Sequence, residues 1–160
     1  GKILAGKQKP IQDALRSEYA KRQKELQEGQ IWEAFMYAAG KKVDNLIATI
    51  DYNLKQIDGA TDDVMPLGNL RDKFEAFGWK VLEVKKGNDL ESVINGLKQA
   101  KLETGKGKPV CIIMHTEMGN GVDFMMGTHA WHGKAPNDEQ LKQALEELQI
   151  IEDKIKGGNE

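Results

Sequence analysis

The sequence predicts an α/β domain in which helices connect the strands of a parallel sheet. Three short, mainly apolar runs predict the strands, and the continuous apolar character of the first run is typical of a strand that is buried on both faces. Segments with helical periodicity separate the runs, and this alternation favours parallel pairing with helical crossovers. We therefore expect a three-layer parallel sheet that is truncated to three strands. The runs lie at residues 46–50, 79–84 and 110–114.

The composition favours a globular domain and argues against several other classes of protein. Hydrophobic residues make up 39% of the 160 residues and charged residues 30%, which is typical of a soluble fold. With 23 basic and 25 acidic residues the net charge is −2, so we expect no nucleic-acid-binding surface. The apolar runs are too short to cross a membrane, and we expect no secretion signal. A single cysteine, Cys111, excludes an internal disulfide and favours a cytoplasmic location.

The N-terminal part is predicted to form two helices that differ in character. In residues 1–30, Pro10 suits a first helical turn and apolar residues recur every four positions between charges. This helix is mostly polar and has one narrow apolar stripe. Residues 30–41 predict a more apolar helix, which we expect to be buried on most of its circumference and to end near Gly40.

The remaining chain alternates between loops and helices. The predicted elements are a loop at residues 54–66, a helix at 69–77, a helix at 90–101 and a loop at 117–133. Asn137 or Asp138 is predicted to cap a last helix that ends at Leu148. We expect residues 151–160 to form a flexible tail.

Two loops follow carboxyl ends of the predicted strands, where parallel sheets bind their ligands. The loop after the first strand begins with Asn53, whose amide oxygen is a hard ligand suited to Mg²⁺ or Ca²⁺. Asn and Asp at a strand end also form turns without any ligand, so both interpretations of Asn53 remain open.

The loop after the last strand contains the histidines, His115, His129 and His132. His129 and His132 are three residues apart, but no third metal ligand is evident, and zinc sites normally have three or four. Acid–base or hydrogen-bonding chemistry near a substrate is the better functional interpretation. The alternative is that these histidines are ordinary surface residues. Cys111 lies in an apolar strand, which indicates packing instead of nucleophilic catalysis.

Several blocks of sequence, in one order, resemble the thiamine-diphosphate-binding domain of transketolase. The blocks are ELQEGQIWEA (25–34), LIATIDYN (46–53), QIDG (56–59), KFEAFGW (73–79), GNGVDF (119–124) and HAWHGKAPN (129–137). The resemblance covers residues 25–150 and implies the thiamine-diphosphate-binding fold. It also implies an atypical N-terminal helix at 1–24 and a tail at 151–160.

The resemblance implies that the chain binds thiamine diphosphate through Mg²⁺ or Ca²⁺. Asn53 matches an asparagine that binds the metal, and Lys55 would supply a backbone carbonyl to it. Gly29 and Ile57 match residues near the cofactor.

The resemblance also implies catalytic and partner roles. Glu28 matches a glutamate at the subunit interface that couples two active sites. His132 matches a histidine close to the diphosphate and the substrate hydroxyls. In this family a second, pyrimidine-binding domain of a partner chain completes the site.

The sequence departs from the family at the turn that supplies an anionic metal ligand. The family has Gly-Asp-Gly where this chain has Arg22-Gln23-Lys24. Gln23 is neutral, and the two flanking side chains replace glycines that let the backbone approach the ligand closely.

Two functions follow from the sequence. The first is a transketolase-type transferase of the pentose phosphate pathway, which moves a two-carbon ketol unit between sugar phosphates when paired with a pyrimidine-domain chain. The second is a non-catalytic, diverged or engineered α/β scaffold that has lost metal and cofactor binding, and residues 22–24 favour it for the isolated chain. We expect a dimer, either a homodimer through the helix at 30–41 or a pair with a complementary transketolase C-terminal subunit, and no membrane partner.

Overall fold

A parallel sheet lies at the centre of the computed structural model, which describes residue 26, residues 29–56 and residues 59–157. In chain order the elements are α1 (Gly29–Gly40), β1 (Ile47–Tyr52), β2 (Lys55–Gln56), β3 (Gly59–Ala60), α2 (Thr61–Val64), α3 (Leu70–Ala76), β4 (Lys80–Val84), α4 (Leu90–Glu103), β5 (Val110–His115) and α5 (Asp138–Gly157). The three-stranded sheet has the order β1-β5-β4, and both pairings are parallel. The α/β fold class predicted from the sequence is confirmed.

Strand β5 pairs on both sides and fixes the register of the sheet. Its first residue, Val110, is opposite Ile47 of β1 and Lys80 of β4. At the other end, His115 is opposite Tyr52, so β1 and β5 end side by side. Residues 110–113 are all buried, which is the burial expected of a strand covered on both faces.

Helices α1 and α3 cover one face of the sheet through an aromatic cluster. The ring of Phe35 lies 4.6 Å from that of Phe74 and 4.3 Å from that of Trp79, measured between centroids. The Trp79 indole also donates a 2.9 Å hydrogen bond to the Phe35 carbonyl. Buried aromatic rings of this kind contribute both apolar area and directional contacts, so this cluster fixes α1 on the sheet.

Helix α4 covers the opposite face and approaches β4 closely. Gly96 faces Val84, and a Cβ at Gly96 would lie 2.5 Å from the Val84 side chain. Ala100, one turn later, is fully buried against the same face. Small residues at these positions let the α4 backbone approach the sheet, because a larger side chain would not fit between them.

Helix α1 is less buried than its composition suggested. Phe35 and Ala38 are buried, but Met36 and Tyr37 are each 51% exposed. The prediction that this helix is buried on most of its circumference was wrong, because within the described residues only one face of α1 packs on the sheet. The predicted end at Gly40 is confirmed.

Other boundaries also differ from the predictions. Helix α5 continues to Gly157, so its predicted end at Leu148 was wrong; apolar residues at helical spacing extend to Ile155, and the basic last turn suits a helix C-terminus. The predicted loop at 54–66 contains β2, β3 and α2. The predicted N-terminal helix and Arg22-Gln23-Lys24 lie outside the described residues, and the division at residues 24 and 150 stays a prediction. Within the described part of the chain, no helix is long and apolar enough to cross a membrane.

Candidate functional site

The candidate site lies where β1 and β5 end beside each other. Tyr52, the last residue of β1, contacts His115, the last residue of β5, edge to face with ring centroids 5.5 Å apart. The next residues after these strands are Asn53 and Thr116. Parallel strands present their carboxyl ends at one edge, so both loops open on the same side of the sheet.

Asn53 is buried at this edge and its side chain is fixed by two hydrogen bonds. Only 7% of the residue is exposed. Its Oδ1 accepts a 2.9 Å hydrogen bond from the Lys55 amide, and its Nδ2 donates a 3.2 Å bond to Asp51. Leu54 lies between Asn53 and Lys55 and has a positive φ of 61°. This conformation is expected in the tight turn that an asparagine forms when its side chain accepts a hydrogen bond from the amide two residues later. Asn53 therefore forms a turn. Its Oδ1 uses one lone pair for the Lys55 amide, and the second lone pair can accept from, or bind, another group.

Neighbouring polar groups extend the edge around Asn53. The Thr116 hydroxyl donates a hydrogen bond to Asp51, which links the loop after β5 to the end of β1. The Thr61 amide donates a 3.0 Å bond to the Leu54 carbonyl. The Thr61 hydroxyl is buried and has no hydrogen-bond partner among the described residues. A buried hydroxyl without a partner is costly, so this edge has unused polar capacity close to the Asn53 turn.

The other residues implied by the resemblance lie in different places. Lys55 is in β2, two residues beyond Asn53. Gly29 is the exposed first residue of α1. Glu28 and Ile57 lie outside the described residues. His132 is half-buried in the loop after β5, and His129 in the same loop is exposed.

The loop that carries His132 is built around Trp131. The Trp131 indole donates a 2.8 Å hydrogen bond to the Phe124 carbonyl, and the two rings meet edge to face at 5.1 Å. Lys134 places its ammonium 4.7 Å from the centre of the Trp131 ring, within cation–π range. These contacts hold the Trp131 ring, next to His132 in the chain, against the loop.

A glycine turn folds the same loop back on itself. Gly119 has a φ of 73°, and a Cβ there would lie 2.6 Å from the Cβ of Met125. Any residue other than glycine would meet both backbone strain and a clash. Within the ranges that the structure describes, no group of three or more His, Cys, Asp or Glu side chains could hold a metal ion, so His129 and His132 do not form such a cluster.

The structure shows a cluster of charged side chains beside the candidate site, which the sequence analysis did not predict. Glu83 of β4 accepts a 2.6 Å hydrogen bond from Arg71, lies 3.2 Å from His115 and also pairs with Lys85. Hydrogen bonds from Lys85 and Arg71, with a smaller one from His115, hold the pKa of Glu83 at about 2, against an ordinary 4.5. We call these four residues the Glu83 cluster.

The only sequence signal for the Glu83 cluster is a glutamate inside an apolar strand run. Its members come from separate elements, which the register of β4 and β5 brings together. His115 joins the cluster to Tyr52 at the candidate site. Burial raises the pKa of the Tyr52 hydroxyl, and the charge of Asp62 raises it further.

The lowered pKa of Glu83 predicts a specific pH dependence of stability. Because the folded pKa is below the unfolded value of 4.5, the stabilisation is present above pH 4.5 and is lost as pH falls towards 2. Glu83→Gln should therefore lower the free energy of unfolding near pH 6, and the difference from wild type should shrink between pH 4.5 and 2. Urea unfolding measures this. Glu91→Gln, an exposed glutamate, is the control, and a difference that stays constant down to pH 2 would contradict the account.

Comparison with known proteins identifies relatives over most of the chain. Residues 19–154 match the family described as "Transketolase, thiamine diphosphate binding domain". The chain is 42% identical over 125 residues to the 6-deoxy-6-sulfo-D-fructose transketolase subunit SqwG of Clostridium sp. (strain MSTE9), which covers 78% of this chain and 44% of that protein. It is 39% identical over 132 residues to one of the apulose-4-phosphate transketolase subunits of Phocaeicola vulgatus, which covers 82% and 46%. The chain thus spans less than half the length of these curated relatives.

Solved structures agree with the sequence comparisons. A transketolase from Campylobacter jejuni superimposes with a TM-score of 0.68 at 36% identity, over 76% of this chain and 18% of that one. A transketolase mutant from Pichia stipitis, in complex with fructose 6-phosphate, gives a TM-score of 0.68 at 30% identity, over 74% and 17%. The chain therefore resembles these two transketolases in sequence as well as in fold.

Proposed function

The chain belongs to the transketolase family through its thiamine diphosphate binding domain, and from this membership we propose that it is the diphosphate-binding half of a two-chain, transketolase-type transferase. Two relatives are named as transketolase subunits, which supports a division of the enzyme between chains. The proposed reaction moves a two-carbon ketol unit between sugar phosphates. The chain spans less than half the length of those relatives. We therefore propose its activity, its substrates and its partner together.

The observation that carries the proposal is the buried and oriented Asn53 at the carboxyl end of β1. We propose that its amide oxygen and the Lys55 carbonyl hold Mg²⁺ or Ca²⁺, which would bridge the diphosphate to the protein. Amide and carbonyl oxygens are hard donors that suit these cations. The nearby Thr61 hydroxyl, which has no hydrogen-bond partner within the described part of the chain, supports the same edge as a binding site. Bound thiamine diphosphate would supply a stabilised carbanion for the transfer.

The remaining roles rest on position and resemblance. We propose that His132 donates hydrogen bonds to the diphosphate and to substrate hydroxyls, and moves protons near them. Its half-buried position beside Trp131 supports a fixed orientation, which such a role requires. Gly29 and Ile57 would lie near the cofactor, and Glu28 would couple the two active sites of an assembly.

The partner would bind at α1. Met36 and Tyr37 are both half exposed on this helix, and exposed apolar side chains of this size are typical of interfaces. We propose that a pyrimidine-domain chain, or a second copy of this chain, covers them. The buried, unpaired Cys111 supports a reducing, cytoplasmic setting.

The second candidate function is a scaffold that has lost the cofactor. The sequence Arg22-Gln23-Lys24 stands where the family has its anionic ligand, and the donors proposed at Asn53 and Lys55 are both neutral. A divalent cation bound without a carboxylate is held more weakly, because affinity depends on the charge of the ligands. This candidate keeps the fold and the partner surface but has no catalytic role.

Titration calorimetry with thiamine diphosphate separates the two functions. We expect weak, metal-dependent binding that EDTA abolishes. Asn53→Ala should lower the affinity by about tenfold or more, because it removes a metal ligand. Asn95→Ala, at an exposed asparagine on α4 away from this edge, is the matched control and should leave the affinity unchanged. No binding at millimolar cofactor, with the fold confirmed by circular dichroism, would leave the scaffold as the function.

The two neighbouring histidines provide a second matched test. His132→Ala should lower the affinity for thiamine diphosphate by about tenfold, since it removes a hydrogen bond to a charged group. His129→Ala should not change it, because His129 is exposed in the same loop. The measurement is the same titration in the presence of Mg²⁺. Equal effects of the two substitutions would contradict the role proposed for His132.

A further inference from the structure

The turn between β4 and α4 lies against the start of the loop that follows β5. The Gly87 amide donates a 2.7 Å hydrogen bond to the His115 carbonyl. A Cβ at Gly87 would lie 2.6 Å from the same carbonyl oxygen, and a backbone atom at the end of a paired strand cannot move aside. Glycine at this position therefore lets the two backbones meet, and the turn holds the end of β5 at the edge of the candidate site.

Asn88 extends this contact with its side chain. Its Oδ1 accepts a 2.6 Å hydrogen bond from the Glu117 amide, and its Nδ2 donates a 3.2 Å bond to the Glu117 carbonyl. A primary amide offers the same kinds of donor and acceptor as a peptide group, so it binds both backbone groups of one residue at once. The next residue, Asp89, caps α4 by accepting a 2.8 Å bond from the Ser92 amide, which restrains the backbone beside Asn88.

The side chain of Glu117 passes this restraint across the loop after β5. Its carboxylate accepts a 2.8 Å hydrogen bond from the Gly127 amide, ten residues later. This bond joins the two ends of residues 117–127, which we call the Glu117 loop. Gly127 is the point where the chain leaves the Glu117 loop towards His132. One residue, Glu117, therefore connects that point to Asn88.

Short hydrogen-bonded turns connect Gly127 to His132. The Ala130 amide donates a 3.1 Å bond to the Thr128 hydroxyl, and the His132 amide donates a 3.0 Å bond to the His129 carbonyl. Turns of this kind fix the backbone locally, because each bond closes a ring of only a few residues. The position of Gly127 is therefore passed on to His132.

The Glu117 loop and residues 127–132 form one unit. The indole bond from Trp131 joins the segment to the loop at a second point. The middle of the loop is held separately, because the Asp123 amide donates a 2.7 Å bond to Glu147 of α5. Asn88 attaches the unit at the residue where the loop begins. Without the Asn88 bonds, the unit would be free to turn about its attachment to α5, and the histidine at its end would be displaced.

We propose that Asn88 and Glu117 are positioning residues, which hold His132 at the candidate site. Neither is assigned a contact with cofactor or substrate. Asn88 acts through the Glu117 backbone, and Glu117 acts through the Gly127 amide. Fixed placement matters, because a hydrogen-bond donor is effective only within a narrow range of distance and angle. The inference rests on the role proposed above for His132.

Amide exchange followed by NMR in the full chain, without cofactor, tests the restraint itself. Asn88→Ala should speed exchange of the Glu117 amide by about tenfold, because it removes the acceptor. Glu117→Ala should do the same to the Gly127 amide, whereas Glu117→Gln keeps an acceptor oxygen and should retain slow exchange. Both alanine variants should also shift the His132 amide resonance. Asn95→Ala, at an exposed asparagine on α4, is the control and should change none of these amides.

A double-mutant cycle, titrated with thiamine diphosphate and Mg²⁺, tests whether the restraint acts through His132. Asn88→Ala should lower the affinity by about fivefold in the wild-type chain and should lower it no further in the His132→Ala background. A general loss of structure would lower the affinity by the same factor in both backgrounds. Glu117→Ala should resemble Asn88→Ala, and Glu117→Gln should bind as the wild type does. Circular dichroism verifies that each variant folds.

Three results would overturn the proposal. Equal losses from Asn88→Ala in the two backgrounds would mean that Asn88 acts independently of His132. Equal losses from Glu117→Ala and Glu117→Gln would assign the effect to charge instead of the hydrogen bond. An unchanged His132 amide resonance in both alanine variants would mean that the restraint does not reach the histidine. Absence of binding by the wild type would contradict the proposed function instead, and the NMR measurement would still decide the positioning.

Discussion

The two-sided pairing of β5 is the constraint on which the other features depend. Because Val110–His115 bonds to a strand on each side, one register fixes where β1, β4 and β5 all end. That register brings Tyr52 beside His115, and so places Asn53 and Thr116 at one edge. It also brings Glu83 within reach of His115. The candidate site and the Glu83 cluster are therefore both consequences of how one buried strand pairs.

The sequence predicted those elements that depend on the order of apolar and polar residues within a few neighbouring positions. The three predicted strands became β1, β4 and β5. In β5 the consecutive apolar residues 110–113 are all buried, as expected of a strand covered on both faces. The helix predicted at 69–77 is α3, and Asn69 is its N-cap. The Glu83 cluster could not be predicted, since Arg71 and His115 meet Glu83 only through the tertiary register. The exposure of Met36 and Tyr37 was missed for a similar reason: an apolar helix does not reveal how many of its sides will be covered.

The two interpretations of Asn53 turn out to be compatible. Its side chain forms the turn that a strand end favours, and the same hydrogen bond from the Lys55 amide fixes the amide oxygen in a buried position. An oriented oxygen loses less conformational entropy on binding a cation than a mobile one does. The proposed cation site would be weakened from elsewhere in the chain, because Arg22-Gln23-Lys24 supplies no carboxylate where the family resemblance implies one. On this proposal, the fold and the cofactor affinity would depend on different parts of the sequence.

The central claim is that the edge formed by the ends of β1 and β5 is the cofactor-binding surface of this chain. Hydrogen–deuterium exchange with and without saturating thiamine diphosphate and Mg²⁺ tests it most directly. The account predicts slower exchange of amides at residues 52–56 and 116–121, and little change in α4. Unchanged exchange at the edge, or protection confined to other elements, would contradict it.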